Sequence, residues 1–271
     1  MKGYQDLHTH TVYSDGSFTP EEMVKEAVRQ GGTSLGFSDH SYLPYDTRYW
    51  MTVEDTPDYI KKINELKIIY EDDIDIYLGM EQDYFTEWMP EGLDYIIGTV
   101  HYIKYRGNII AVDENERTPM SAAVEFFNGD FYALAELYFT TVADLMNQTN
   151  VDIIGHFDIL MKHNKGGVLF DDKHPRYVNA ALYAMEELLK KNRLFELNTG
   201  AMFRMGNIQP YPSEFLLKEL CNRGGEIIIA CDSHSTETIY FKYKEMLDFA
   251  KHCGFKCIKR LTKTGFIDVK I

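Results

Sequence analysis

Seven short apolar or β-rich runs recur along this chain, at 4–7, 33–38, 74–80, 94–100, 151–155, 194–197 and 226–230, and amphipathic segments fill most of the gaps. Runs that are nearly continuous in apolar residues, such as Glu226-Ile227-Ile228-Ile229-Ala230, read as parallel strands covered on both faces. The segments between them carry helix signals. Thr19-Pro20-Glu21-Glu22 is a capping box with proline in the first turn, closed by Gly31-Gly32. Thr56-Pro57-Asp58 opens another helix, with Ile60, Ile63, Leu66 and Ile69 at helical spacing. Further helices are expected over 119–148, 175–191, 213–222 and 236–252, the first of these broken at Asn128-Gly129-Asp130. The last run, 257–271, reads as a closing strand or hairpin with a structural role. Such β/α alternation leaves a barrel or a doubly wound sheet, and 271 residues suit one α/β barrel domain spanning 1–271.

The polar residues fall at the ends of those runs. His8 and His10 follow the first, in Asp6-Leu7-His8-Thr9-His10, with Asp15 close behind in Ser14-Asp15-Gly16. Imidazoles at i and i+2 of an extended segment share a face, and with a nearby carboxylate they suit a first-row metal. Asp39 and His40 follow the second run, Glu81 the third and His101 the fourth. His156 and Asp158 follow the fifth, Glu196 and Asn198 end the sixth, and Asp232-Ser233-His234 follows the seventh. In a parallel barrel the C-terminal strand ends converge on one rim. Six of the nine histidines would stand there, whereas a merely solvated rim would carry Lys, Ser and Asn as readily. A polynuclear metal site is the expectation.

Charge and composition narrow the partners. With 42 acidic and 28 basic residues the formal net charge is −14, and no basic run of about five or more offsets it, so nucleic-acid binding is disfavoured. There is no apolar stretch of about 18 residues to span a membrane, and no signal-peptide pattern at the N-terminus; a cytoplasmic protein is expected. Cys221, Cys231, Cys253 and Cys257 lack paired zinc-site spacing and read as reduced thiols.

The strings His8-Thr9-His10, Ser38-Asp39-His40, Gly155-His156-Phe157-Asp158 and Asp232-Ser233-His234, in this order, resemble the PHP (polymerase and histidinol phosphatase) superfamily. Asp94-Tyr95-Ile96-Ile97-Gly98-Thr99-Val100-His101, Glu196-Leu197-Asn198-Thr199-Gly200 and Pro210-Tyr211-Pro212-Ser213 make the chain most similar to its monofunctional histidinol-phosphatases. The resemblance runs from Asp6 to about His234. It implies a distorted (β/α)7 barrel, of α/β class, with three divalent transition-metal ions (zinc, iron or manganese) at the C-terminal rim. By motif, one ion would take His8, His10, Glu81 and Asp232. A second would share Glu81 and add His101 and His156, and a third would take Asp15, His40 and His234.

Three divalent ions against three carboxylates leave that ligand set at about +3 by formal charge, a cationic pocket suited to a small-molecule phosphate monoester. The resemblance implies hydrolysis of L-histidinol phosphate to L-histidinol and phosphate in histidine biosynthesis, by in-line attack of a hydroxide bridging ions at Glu81. Asp39 and Asp158 are candidates for the general acid or for orienting ligand histidines. Arg204 is the candidate phosphate clamp. The family's arginine shortly after Gly-His-x-Asp is missing; either Lys162 or His163 takes its place or that contact is absent. Other readings are a PHP phosphoesterase acting on nucleotides, nucleic acid or phosphotyrosine, and a non-catalytic metal-stabilised module. His174 and His252 read as surface residues at helix ends.

Overall fold

The computed structural model describes residues 3–46, 48–115, 117–148, 150–191, 194–206 and 209–271. In chain order the elements are β1 (Tyr4–Asp6), α1 (Pro20–Arg29), β2 (Gly32–Phe37), α2 (Thr56–Ile69), β3 (Asp75–Asp83), β4 (Tyr95–Thr99), β5 (Tyr102–Tyr105), β6 (Asn108–Ala111), α3 (Arg117–Phe127), α4 (Phe131–Gln148), β7 (Ile153–Ile154), α5 (Pro175–Leu189), β8 (Leu194–Asn198), α6 (Gly200–Arg204), α7 (Glu214–Asn222), β9 (Glu226–Ala230), α8 (Tyr243–His252), β10 (Cys257–Thr262) and β11 (Gly265–Lys270).

Seven strands form one sheet in the order β1-β2-β3-β4-β7-β8-β9, every neighbouring pair parallel. Of the two architectures the alternation left open, this is the nearly closed barrel. Its two ends meet just beyond β1 and β9, where Thr9 bridges Ser233 in parallel. The His10 amide donates to the Ser233 carbonyl at 2.8 Å, and the Ser233 amide to that of His8 at 2.9 Å. Asp6, fully buried, ties the same seam by accepting from the His8 amide, the Cys231 amide and the Ser233 hydroxyl, each at 3.1 Å.

The barrel interior is filled by Leu7, Tyr77, Tyr95, Ile97, Ile153, Leu194, Ile228 and Ala230. Tyr95 crosses it, and its hydroxyl donates to the carbonyls of Leu7 and Phe37. Gly79 makes room for that ring, because a Cβ there would lie 2.3 Å from Tyr95 Cζ. The antiparallel β10–β11 hairpin closes the far end of the barrel. Leu261 joins the interior cluster, and its amide and carbonyl are both held by the Gln5 side chain, at 2.8 and 2.9 Å.

The expected helix over 236–252 is interrupted. A single 3-10 turn at Thr236–Thr238 is followed by left-handed Tyr240 and Lys242 before α8 starts. The turn drives Tyr240 inward, where its hydroxyl donates to the Ser34 carbonyl at 3.0 Å. The β5–β6 hairpin was not foreseen; Arg106 and Gly107, both at positive φ, form its two-residue turn. Among the described residues all four cysteines are free thiols.

Candidate metal centre

The rim gathers nine His, Asp and Glu side chains into three overlapping groups, His8/His10/Asp232, Glu81/His101/His156 and His10/Asp15/His40/His234, each with ligand atoms within 4.8 Å of one another. These are the nine residues that the resemblance implied as metal ligands. Their placement follows from local backbone. His8 and His10 flank Thr9, whose backbone is fixed by the seam, so alternation turns both imidazoles to the rim. Asp15 is folded back by a tight turn in which the Ser14 and Gly16 amides donate to the Thr11 carbonyl. A Cβ on Gly16 would lie 2.5 Å from the His10 and Thr11 backbone, so this turn requires glycine. Glu81 stands within β3, which runs on through Asp83 in register with β4, instead of following the strand. Asp232 reaches the site from a left-handed backbone conformation, φ 51°.

Glu81 is the hub. Its Oε2 lies 3.2 Å from His8 Nε2, 3.4 Å from His10 Nε2 and 2.9 Å from His40 Nδ1. Its Oε1 lies 2.9 Å from His156 Nε2 and 3.6 Å from His101 Nε2. Asp232 Oδ1 is 3.7 and 3.4 Å from the Nε2 atoms of His8 and His10. Asp15 Oδ2 is 3.1 Å from His234 Nε2, and Oδ1 is 3.4 Å from His10 Nδ1 and 3.8 Å from His40 Nε2.

This arrangement fits metal ions. His8 Nε2, His10 Nε2, His40 Nδ1 and Glu81 Oε2 are buried without a hydrogen bond among the described residues although they converge on one another, and buried polar atoms left unpaired are costly. Burial would raise the carboxyls of Glu81 and Asp232, yet their neighbours hold both well below the usual carboxylate range, His40, His8 and His101 acting on Glu81 and Arg204 and His8 on Asp232. Burial, with His234 and His40, pushes His10 down to about 3, so it is a neutral imidazole with a lone pair to give. The donor set of nitrogens and carboxylates suits zinc, iron or manganese better than magnesium.

Two carboxylates that the sequence reading left without a role hold rim histidines in place. Glu196 Oε1 sits 2.6 Å from His8 Nδ1, while its Oε2 accepts from the His156 amide at 3.0 Å and from Asn198 Nδ2 at 2.9 Å. Asp83 Oδ2 accepts from the His101 amide at 2.8 Å and lies 3.5 Å from the ring Nδ1. The available signal was a carboxylate inside an otherwise apolar strand, Leu194-Phe195-Glu196-Leu197, and a second one two residues past Glu81.

Asp39 and Asp158 stand behind the site and do not line the cleft. Asp39 accepts from Thr11 N, Thr11 Oγ1 and Ser14 Oγ at 2.8, 2.9 and 2.6 Å, bracing the loop that carries Asp15. Asp158 accepts from the Ser213 amide at 3.0 Å. Burial pushes both carboxyls up to about 6. Their partners are backbone and hydroxyl groups, not the rim imidazoles, which goes against the orienting half of the expectation.

Arg204, on α6, lines the cleft and donates to Asp232 Oδ2 at 2.7 Å and to the Asp232 carbonyl at 2.8 Å. Lys162 also lines it, but its ammonium donates to Asp113 Oδ2 at 2.7 Å. His163 lies off the cleft lining, with Nε2 2.9 Å from the Asp113 carbonyl. The cleft has a volume of about 210 Å³ and is walled beyond the ligands by Tyr49, Trp50, Tyr102, Asp113 and Ile159. Trp50 packs on the ligand His40, ring centroids 4.3 Å apart.

The PHP domain family model matches residues 6–200. A relative from Deinococcus radiodurans named "Probable histidinol-phosphatase" is 28% identical over 269 residues, covering 95% of this chain and 96% of its own length. The histidinol-phosphatase of Bacillus subtilis is 23% identical, covering 90% and 98%. The fold matches that of histidinol phosphate phosphatase from Lactococcus lactis, solved with zinc, L-histidinol and phosphate, with a TM-score of 0.74 and 21% identity over 97% of this chain and 98% of that one.

Proposed function

This chain belongs to the PHP domain family, and we propose that it is a metal-dependent phosphomonoester hydrolase acting on L-histidinol phosphate to release L-histidinol and phosphate, within histidine biosynthesis in the cytoplasm. The observation that carries this reading is the convergence of nine buried or half-buried ligand side chains on one cleft. Relatives that align over nearly the whole chain supply the substrate. No described helix is long and apolar enough to cross a membrane. We read residues 1–271 as one domain.

The ligand groups would hold three divalent ions. His8, His10, Glu81 and Asp232 serve the first, Glu81, His101 and His156 the second, and Asp15, His40 and His234 the third, with His10 close enough to Asp15 to fall in the last group as well. Such ions supply Lewis-acid stabilisation of phosphoryl charge and a nucleophile from water at neutral pH. The protein contributes position. Glu81 joins the groups through its two oxygens, and Glu196 receives the His8 Nδ1 proton, which leaves Nε2 free to coordinate. Arg204 stands at the Asp232 edge, where a guanidinium can pair with phosphate oxygens. Lys162, held by Asp113, adds a second cation to the cleft wall. Asp39 and Asp158 act as braces for the ligand loops.

The deciding experiment is phosphate release by the metal-replete protein from L-histidinol phosphate, nucleotides and phosphotyrosine side by side. The proposal expects kcat/KM for histidinol phosphate to exceed the others by orders of magnitude. Comparable or faster turnover of a nucleotide or of phosphotyrosine would overturn the substrate, and no turnover of any ester would leave the metal-stabilised module as the reading.

A further inference from the structure

The cleft is built for a dianionic ester, yet one wall carries an acid that is not a metal ligand. Asp113 follows β6 and is placed beside His101 because the Val112 amide donates to the His101 carbonyl at 2.9 Å. Its Oδ2 accepts from Lys162 at 2.7 Å, while Oδ1 makes no hydrogen bond among the described residues and the side chain lines the cleft. The neighbouring Glu114 is already occupied, pairing with Arg48 at 2.7 Å. Lys162 offsets the charge on one oxygen of Asp113, and the second oxygen, open to the cleft, suits a cation carried by the substrate.

We propose that Asp113 is the specificity-determining residue that receives the ammonium of the substrate, selecting aminoalkyl phosphates over esters with uncharged tails. In L-histidinol phosphate the ammonium stands on the carbon next to the esterified one, so it must lie close to the phosphoryl group. Asp113 lines the same cleft as His101 and His156, so its carboxylate faces the space such an ammonium would occupy. Arg204 grips the opposite end of the ligand set, at Asp232 and His234. The cleft therefore has a phosphate-gripping edge and an ammonium-receiving edge. Tyr49, Trp50, Tyr102 and Ile159 leave apolar wall for the remainder of the leaving group. The inference rests on the phosphomonoesterase reading above and sharpens which ester it takes.

The test compares L-histidinol phosphate with 3-(imidazol-4-yl)propyl phosphate, the same ester without the ammonium, on the metal-loaded full chain. A hydrogen bond to a charged group sets the expected scale, and wild-type kcat/KM should favour the amine-bearing ester by about 10- to 100-fold. Asp113→Asn should bring that ratio to within about threefold of one, largely through KM for the amine-bearing ester. A carboxylate that only held Lys162 in place would change kcat/KM for the two esters together, so a preserved ratio in the variant overturns the anchor and leaves the substrate intact. A wild-type ratio near one overturns the anchor and leaves histidinol phosphate as a substrate, whose standing is decided separately by the comparison with nucleotides and phosphotyrosine. Should the variant fail to fold, inhibition of the wild type decides. L-Histidinol should bind about 10- to 100-fold more tightly than 3-(imidazol-4-yl)propan-1-ol, and equal inhibition overturns the proposal.

Discussion

Replacing Glu196 by glutamine tests whether the carboxylate behind His8 governs the metal centre. Glu196 is fully buried and receives three donors on its two oxygens: His8 Nδ1 at 2.6 Å on one, the His156 amide at 3.0 Å and Asn198 Nδ2 at 2.9 Å on the other. Glutamine has the same shape but only one accepting oxygen. If its amide nitrogen faces His8, it donates to Nδ1 and stabilises the tautomer with the proton on Nε2, the atom that points at Glu81 and Asp232. If the amide is turned over, its nitrogen faces two donors, and each buried donor left unsatisfied costs about 1–3 kcal/mol. The first arrangement is the cheaper one for the fold, so the damage should appear in metal binding. Carboxylates that orient a ligand histidine are worth about 10- to 100-fold in metal affinity, or about 1.4–2.7 kcal/mol. Competition with a chelator, read as metal retained per chain by elemental analysis, should show one class of ion lost from Glu196→Gln at chelator concentrations the wild type resists. Circular dichroism should show the barrel intact. Identical retention curves would refute the argument, because they would mean that His8 either does not bind metal through Nε2 or does not depend on Glu196 for its tautomer.

Asp158→Asn should keep kcat within about tenfold of wild type, since a buried brace is being replaced by its neutral isostere; a general acid would lose about 10²–10⁴. Arg204→Ala should raise KM for the phosphate ester and also weaken metal retention, because the guanidinium grips the ligand Asp232 at 2.7 Å; full metal retention would show that it touches phosphate alone. Removing the ions with a chelator should lower Tm by about 8–16 °C, from the ~4 kcal/mol that ligands at about 1,000 times Kd supply and a shift of about 2–4 °C per kcal/mol. Gly79→Ala should cost about 1–3 kcal/mol by overpacking, and thermal melting should show the loss, because the new methyl would sit 2.3 Å from the Tyr95 ring.

That these residues gather on one rim was legible from the strand pattern, and their grouping as metal ligands came from the resemblance. Strand length says where each run stops, and parallel order says that all the stops share a rim. His8, His40, His101, His156 and His234 are therefore found by position alone, without knowing which strand neighbours which. Glu196 and Asp83 were not, since their work depends on which atom of a distant imidazole faces them; Glu196 lies 188 residues from His8. Asp39 and Asp158 misled for the opposite reason. Nearness in sequence to His40 and His156 suggested contact with them, but Asp39 adjoins His40 on an extended stretch and so takes the opposite face, while Asp158, two residues past His156, lies in the turn after β7 and is drawn to the Ser213 amide. Lys162 and His163 were read from a family spacing. Their partner Asp113 comes from the β5–β6 excursion, a segment whose packing against 159–164 no local pattern announces.

One consequence joins the fold to the chemistry. The barrel closes at Thr9 and Ser233, and these residues separate His8 from His10 and Asp232 from His234. The backbone bonds that seal the sheet are thus the ones that aim four of the nine ligands. Asp6 fastens the seam from below with three accepted bonds, and Glu81 draws the opposite strands to it from above. Glu81 Oε2 and the nitrogens of His8, His10 and His40 around it are buried and make no hydrogen bond among the described residues, and they crowd together at the joint itself. Ions held there as proposed would satisfy those atoms, and closure of the barrel would then be coupled to occupancy of the site. A perturbation at the seam that leaves every ligand in place, such as Asp6→Asn, should accordingly weaken metal retention, whereas the same change on a strand remote from the closure should not.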